Sequence, residues 1–196
     1  MNAIELVLGG ARSGKSRYAE QQTSRAEQLG QTPVVYVATA QAGDGEMSER
    51  IQRHRDERPH HWFTREETIN LGACLADIEA SHPDAVVMVD CLTLWLSNCL
   101  FHDDPGCWAG QKQALLEQLR QSRQRVILVS NEVGQGVVPM GEISRRFVDE
   151  SGWLHQDIAA FANDVTLVIA GLPMALKRNG KNQSQPAQPP LQQLSN

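Results

Sequence analysis

Short apolar runs rich in β-branched residues recur along the chain at residues 4–8, 34–39, 85–90, 125–130 and 165–170, each bounded by Gly, Pro, Asp or Asn. Runs this short and this uniformly apolar predict strands covered on both faces, as in a parallel sheet. Between them the apolar spacing changes from strand to helix. Leu71, Cys74, Leu75 and Ile78 share one face of a helix over residues 69–81, and Ile143, Phe147, Leu154 and Ile158 mark a longer one. The alternation predicts an α/β fold with a mostly parallel central sheet and helices on both faces. From Arg178 onward five Gln and three of the nine Pro accompany a single pair of Leu, too little apolar surface for a packed layer. The folded domain is therefore expected over residues 1–177, with a disordered tail over 178–196. There is no repeat at a fixed period.

Charge narrows the range of partners. With 18 Lys and Arg against 23 Asp and Glu, the 196-residue chain carries a net charge of −5, which argues against nucleic acid or an anionic membrane as the main partner. A polyanion would have to be held locally. The apolar runs are far shorter than the ~18 to 20 residues that cross a bilayer, so no transmembrane segment is expected. The first apolar run lacks a cationic segment before it and a small-residue cleavage site after it, which predicts no signal peptide and a cytoplasmic location. Cys74, Cys91, Cys99 and Cys107 lack paired metal-ligand spacing and are expected as reduced thiols.

The first strand runs directly into Gly9-Gly10-Ala11-Arg12-Ser13-Gly14-Lys15-Ser16, which satisfies G-x-x-x-x-G-K-[ST] ahead of a helix opening at Lys15. The chemistry requires glycine because successive backbone N–H groups must turn inward around a phosphate, where a β-carbon would obstruct the approach. Lys15 supplies a point charge for the β- and γ-phosphates, the helix N-terminus adds partial positive charge, and the Ser16 hydroxyl can complete a Mg²⁺ shell. The run ending at Asp90 has the form of a Walker B strand, whose terminal carboxylate reaches the same metal. An Asp capping the helix that begins near Leu92 would look identical. The loop Asn131-Glu132-Val133-Gly134-Gln135-Gly136 follows the next strand to the edge where α/β sheets place their ligands. Its Glu132 is a candidate partner for a metal or an acceptor hydroxyl, though two glycines also mark an ordinary turn.

Arg50, Arg53, Arg55, Arg58 and Arg65 stand against Asp56 and Glu57 in an otherwise acidic chain, marking a local anion site. Residues 46–58 read as a helix ended by Pro59, with Met47, Ile51, His54 and Arg58 on one face. On that face His54 can be a packed, hydrogen-bonded side chain. It can also be a nucleophile, since neighbouring guanidinium groups lower an imidazole pKa and bind phosphate oxygens. Histidine attack would divide nucleotidyl transfer into two displacements through a covalent intermediate. His60, His61, His82, His102 and His155 make weaker cases, and none repeats at metal-ligand spacing.

The P-loop, Ala38-Thr39-Ala40, Asp44-Gly45-Glu46-Met47, Arg50-Ile51 with His54 and Arg58-Pro59, Asp90-Cys91-Leu92-Thr93-Leu94-Trp95 and Asn131-Glu132-Val133-Gly134-Gln135-Gly136-Val137-Val138-Pro139 occur in one order. From about Ile4 to Lys177 the chain resembles the bifunctional adenosylcobinamide kinase/adenosylcobinamide-phosphate guanylyltransferase family of cobalamin biosynthesis. The resemblance implies a RecA-like P-loop fold, a homotrimer, Mg²⁺, and ATP and GTP as substrates. It also implies phosphorylation of a corrinoid, adenosylcobinamide, followed by GMP transfer from GTP with release of pyrophosphate. It places the guanylylated histidine at His54. GTP contacts map onto Gly9, Gly10, Ala11, Arg12, Ser13, Gly14, Lys15 and Ser16, onto Ala38, Thr39 and Ala40, and onto Arg55, Asp56, Glu57, Arg58, Glu66 and Asp90. A simple P-loop small-molecule kinase and a regulatory or assembly ATPase are the competing readings, because the P-loop is compatible with all three.

Overall fold

The computed structural model describes residues 3–40 and 59–183. The expected strands form the middle of a single sheet: β1 (Ala3–Gly9), β2 (Val34–Ala38), β4 (Val86–Asp90), β5 (Arg125–Asn131) and β6 (Asp164–Ile169). Three further strands extend it: β3 (Phe63–Glu66), β7 (Leu172–Arg178) and β8 (Lys181–Asn182). The spatial order is β3-β2-β4-β5-β1-β6-β7-β8, parallel from β3 to β6 and antiparallel through β7 and β8. The helices are α1 (Lys15–Gly30), α2 (Leu71–Ser81), α3 (Leu92–Leu100), α4 (Cys107–Gln121) and α5 (Glu142–Phe161).

Strand parity divides the core into two layers. Ile4, Leu6, Leu8, Val35, Val37, Val87, Val89, Val126 and Leu128 face α2, α3, α4 and α5, where Leu71, Leu75, Trp95, Leu115, Leu119, Leu154 and Ile158 are buried. Val7, Val34, Tyr36, Met88, Ile127 and Val129 face α1, which presents Ala19 and Ala26. Small residues on the inner face of α1 let that helix lie close to the sheet, so the loop that opens it is held against the strand ends.

The sheet does not end at Lys177, where the domain boundary was expected. Strand β7 continues to Arg178, and Lys181 and Asn182 pair back onto it. The polar composition read as a tail begins inside an antiparallel edge ribbon, whose strands need no apolar face on the solvent side. Residues 184–196, the remainder of the expected tail, lie outside the described residues. The four cysteines are free and buried. Burial pushes the Cys74 thiol up to about 11 and the Cys99 thiol to about 12, so both stay protonated near neutrality. No helix among the described residues is long and apolar enough to cross a membrane.

Candidate active site

The phosphate loop joins β1 to α1 as its motif requires. Arg12 and Gly14 both have positive φ, 56° and 94°, and the Gly14 conformation is the one a glycine adopts without strain. Gly14 is also the N-cap of α1, so no capping side chain occupies the N–H groups of the first helical turn. Lys15 is only 6% exposed, and its Nζ donates to the Gly10 carbonyl at 3.4 Å, which folds the ammonium back over the loop. The Ser13 hydroxyl is buried without a hydrogen-bond partner. An orphaned polar atom at this position is what a phosphate oxygen would satisfy.

The loop is braced by a hairpin from the far end of the chain. Ala170 and Gly171, with φ of 52° and 78°, form the two-residue turn between β6 and β7, and the Gly171 N–H donates to the Ser13 carbonyl at 2.8 Å. At Gly9 a Cβ would lie 2.4 Å from Ser13 Oγ and 2.6 Å from the Val168 carbonyl oxygen. Because the second neighbour is backbone, Gly9→Ala is expected to cost about 1–3 kcal/mol and to weaken nucleotide binding, as read from melting curves with and without GTP.

Sheet register brings three more of the mapped positions, Ala38, Glu66 and Asp90, to the same edge. Ala38 pairs with Glu66 on one side and Asp90 on the other, while Gly9 pairs with Asn131. These are the C-terminal ends of parallel strands, where open α/β sheets bind ligands. Asp90 is not a helix cap: Cys91 holds the N-cap position of α3, with no side-chain cap bond. Its carboxylate instead accepts a hydrogen bond from Tyr36 Oη at 3.1 Å. The capping alternative for Asp90 is therefore not realised. Ser16 and Asp90 offer hard oxygen donors, and no cluster of three or more His, Cys, Asp or Glu that could hold a metal exists among the described residues. A pair of hard oxygen donors fits Mg²⁺, which takes one or two protein oxygens and completes its shell with phosphates and water.

Thr39, a mapped nucleotide contact, is fully buried and has a structural task. Its hydroxyl donates to the Cys91 carbonyl at 2.7 Å and accepts from the Cys91 N–H at 2.8 Å, tying the end of β2 to that of β4. The Thr39 carbonyl accepts from Asn98 Nδ2, which also donates to Thr68. Thr39→Val keeps the shape but strands a buried donor and a buried acceptor. It should cost about 2 kcal/mol, seen as a melting temperature roughly 4–8 °C lower. Ala40 adjoins this clasp, whereas His54, Arg55, Asp56, Glu57 and Arg58 lie outside the described residues, as does the helix expected over 46–58.

Two groups at this edge carry weight that motif reading does not assign. Asn131 donates to Thr93 Oγ1 at 3.2 Å while its Oδ1 is buried and unpartnered. His155, one of the weaker histidine candidates, is buried against Ser130. His155 belongs to no motif, and Asn131 opens the loop motif of residues 131–139 without a task of its own there; a polar residue ending an otherwise apolar strand is the sequence signal for the Ser130 and Asn131 pair.

Comparison with known proteins places these features in one group. Residues 5–176 match the family model described as cobinamide kinase / cobinamide phosphate guanyltransferase. The chain is 55% identical over 174 residues to the bifunctional adenosylcobalamin biosynthesis protein CobP of Pseudomonas aeruginosa, covering 88% of this chain and 96% of that protein. It is 40% identical over 186 residues to the bifunctional adenosylcobalamin biosynthesis protein CobU of Escherichia coli, covering 88% and 98%. Among solved structures, a KaiC-like protein from Pyrococcus horikoshii superposes with a TM-score of 0.51 at 13% identity, over 85% of this chain and 70% of that one. An ATPase domain gives 0.50 at 15% identity, over 85% and 69%. The two structural likenesses establish a RecA-like fold.

Proposed function

The chain belongs to the cobinamide kinase / cobinamide phosphate guanyltransferase family and carries its two activities; from that premise we propose that one P-loop site serves both reactions and that His54 is the residue guanylylated. In the first reaction ATP or GTP phosphorylates the aminopropanol hydroxyl of adenosylcobinamide. In the second, GMP passes from GTP to that phosphate. The observation that carries the reading is the convergence of residues 9–16, Ala38, Glu66 and Asp90 on one sheet edge, the only phosphate loop among the described residues.

The backbone N–H groups of the loop and the start of α1 hold the phosphates, and Lys15 neutralises charge on the outer two. Ser16 and Asp90 would hold Mg²⁺, which when bound would offset the negative charge of the triphosphate that otherwise repels an attacking electron pair. For guanylyl transfer, a neutral imidazole nitrogen of His54 attacks the α-phosphorus. The bond from that phosphorus to the bridging oxygen breaks, and pyrophosphate leaves. An oxygen of the corrinoid phosphate then attacks the same phosphorus, the P–N bond returns its electrons to His54, and adenosylcobinamide-GDP is formed. Arg55 and Arg58 would stabilise charge developing on the phosphoryl oxygens.

Incubation with GTP and Mg²⁺ followed by intact-mass measurement tests this. An acid-labile GMP adduct is expected, and an unmodified mass under turnover would return the protein to a simple kinase. The assembly is read as a homotrimer. Val137 and Met140, 96% and 97% exposed beside Val138, supply apolar surface suited to burial in an assembly. The location is read as cytoplasmic, in keeping with free cysteines.

A further inference from the structure

At the end of β5 three polar side chains stand in line. His155 of α5 is 6% exposed, and its Nε2 lies 2.7 Å from Ser130 Oγ. Its Nδ1 faces Glu132 Oε2 at 3.8 Å. The other carboxylate oxygen of Glu132 accepts the Gly134 N–H at 2.8 Å, and the Glu132 N–H donates to the Gly9 carbonyl at 3.0 Å. One carboxylate oxygen is thus held by the Gly134 N–H and the other faces the imidazole across 3.8 Å, on a residue tied to the first glycine of the phosphate loop.

The carboxylate opposite Nδ1 favours the tautomer with the ring proton on that nitrogen, which leaves Nε2 to accept from the Ser130 hydroxyl. Burial lowers the imidazole pKa and the nearby Glu132 charge opposes that shift. Ser130 is wholly buried and can reach no substrate. The accessible end of the line is Glu132, whose side chain is 24% exposed. A carboxylate held beside a triphosphate site meets only repulsion there unless it receives a proton or a cation.

We propose that Glu132 orients and deprotonates the acceptor hydroxyl in the kinase step, and that His155 and Ser130 are positioning residues for its carboxylate. The hydroxyl proton passes to Glu132. The freed oxygen pair forms a bond to the γ-phosphorus, the bond from that phosphorus to the β–γ bridging oxygen breaks, and the nucleoside diphosphate leaves with those electrons. This rests on the kinase half of the activity and on the P-loop site, and is independent of the role given to His54.

Glu132→Gln keeps an acceptor for the Gly134 N–H while removing the base. Phosphorylation of adenosylcobinamide should lose about 10²–10⁴-fold in kcat, with the nucleotide KM unchanged. GMP transfer to supplied adenosylcobinamide phosphate should proceed at the wild-type rate. His155→Ala should lower the phosphorylation kcat about tenfold. His155→Gln, whose amide can still donate to one neighbour and accept from the other, should restore most of it. Normal phosphorylation by Glu132→Gln, or equal loss in both reactions, overturns the proposal. If Glu132→Gln does not fold, Glu132→Asp carries the test: loss confined to phosphorylation supports it and no loss refutes it. Absence of a GMP adduct in the wild-type protein, with phosphorylation sensitive to Glu132, would remove His54 from the scheme and leave Glu132 in place.

Discussion

Lys15→Ala is expected to lower both phosphorylation and guanylyl transfer by about 10³-fold or more, the scale on which preorganised charge at a reacting phosphate acts. The two activities should fall together under the proposal that one phosphate loop serves both. The lysine is buried over the loop by its bond to the Gly10 carbonyl, so its charge is aimed before the nucleotide arrives. Ligand-induced stabilisation separates binding from folding. At a GTP concentration near one hundred times Kd the wild-type protein gains about 2.7 kcal/mol, a melting shift of roughly 5–11 °C for a chain of this size. The variant should melt close to the unliganded wild type and show almost none of that shift. Retention of either activity at wild-type rate would mean that a second phosphate site exists.

His54→Ala should separate the two reactions that Lys15→Ala removes together. With the proposed nucleophile gone, GMP transfer should drop by on the order of 10⁴–10⁶-fold, the range seen when a covalent enzyme loses its attacking group. The GMP adduct should vanish from the intact mass. Phosphorylation should continue at a reduced rate, because γ-phosphoryl transfer places a different phosphorus in line with the acceptor and needs no imidazole. A His54→Ala protein that still accumulates the adduct would move the nucleophile to another side chain. One that loses phosphorylation as completely as guanylylation would make His54 a binding residue.

What the chain discloses before folding depends on how far apart its partners lie. The central strands are readable because each is covered on both faces and is apolar at nearly every position. Strand β3 escapes that reading because Phe63, Thr64, Arg65 and Glu66 are all exposed at the sheet edge. Strand β7 escapes it because it begins in exposed Leu172, Pro173 and Met174 and pairs antiparallel. The phosphate loop is contiguous, so one local pattern specifies it, and the apolar run ahead of Asp90 marks its strand end equally well. Thr39 and Cys91 are 52 residues apart and His155 and Ser130 are 25 apart, and no local pattern predicts such pairings. Glu132 shows the middle case: its loop is legible as a strand-end feature, but its role depends on which groups fix the carboxylate.

The brace between Gly171 and Ser13 sets when the protein becomes competent during synthesis. The motif that grips phosphate leaves the ribosome about 150 residues ahead of the turn it leans on near residue 171, and β1 lies between β5 and β6, both of which follow it in the chain. A nascent chain halted before that turn carries every motif residue of the loop without its support, so nucleotide affinity should emerge abruptly, and only once that turn has been made.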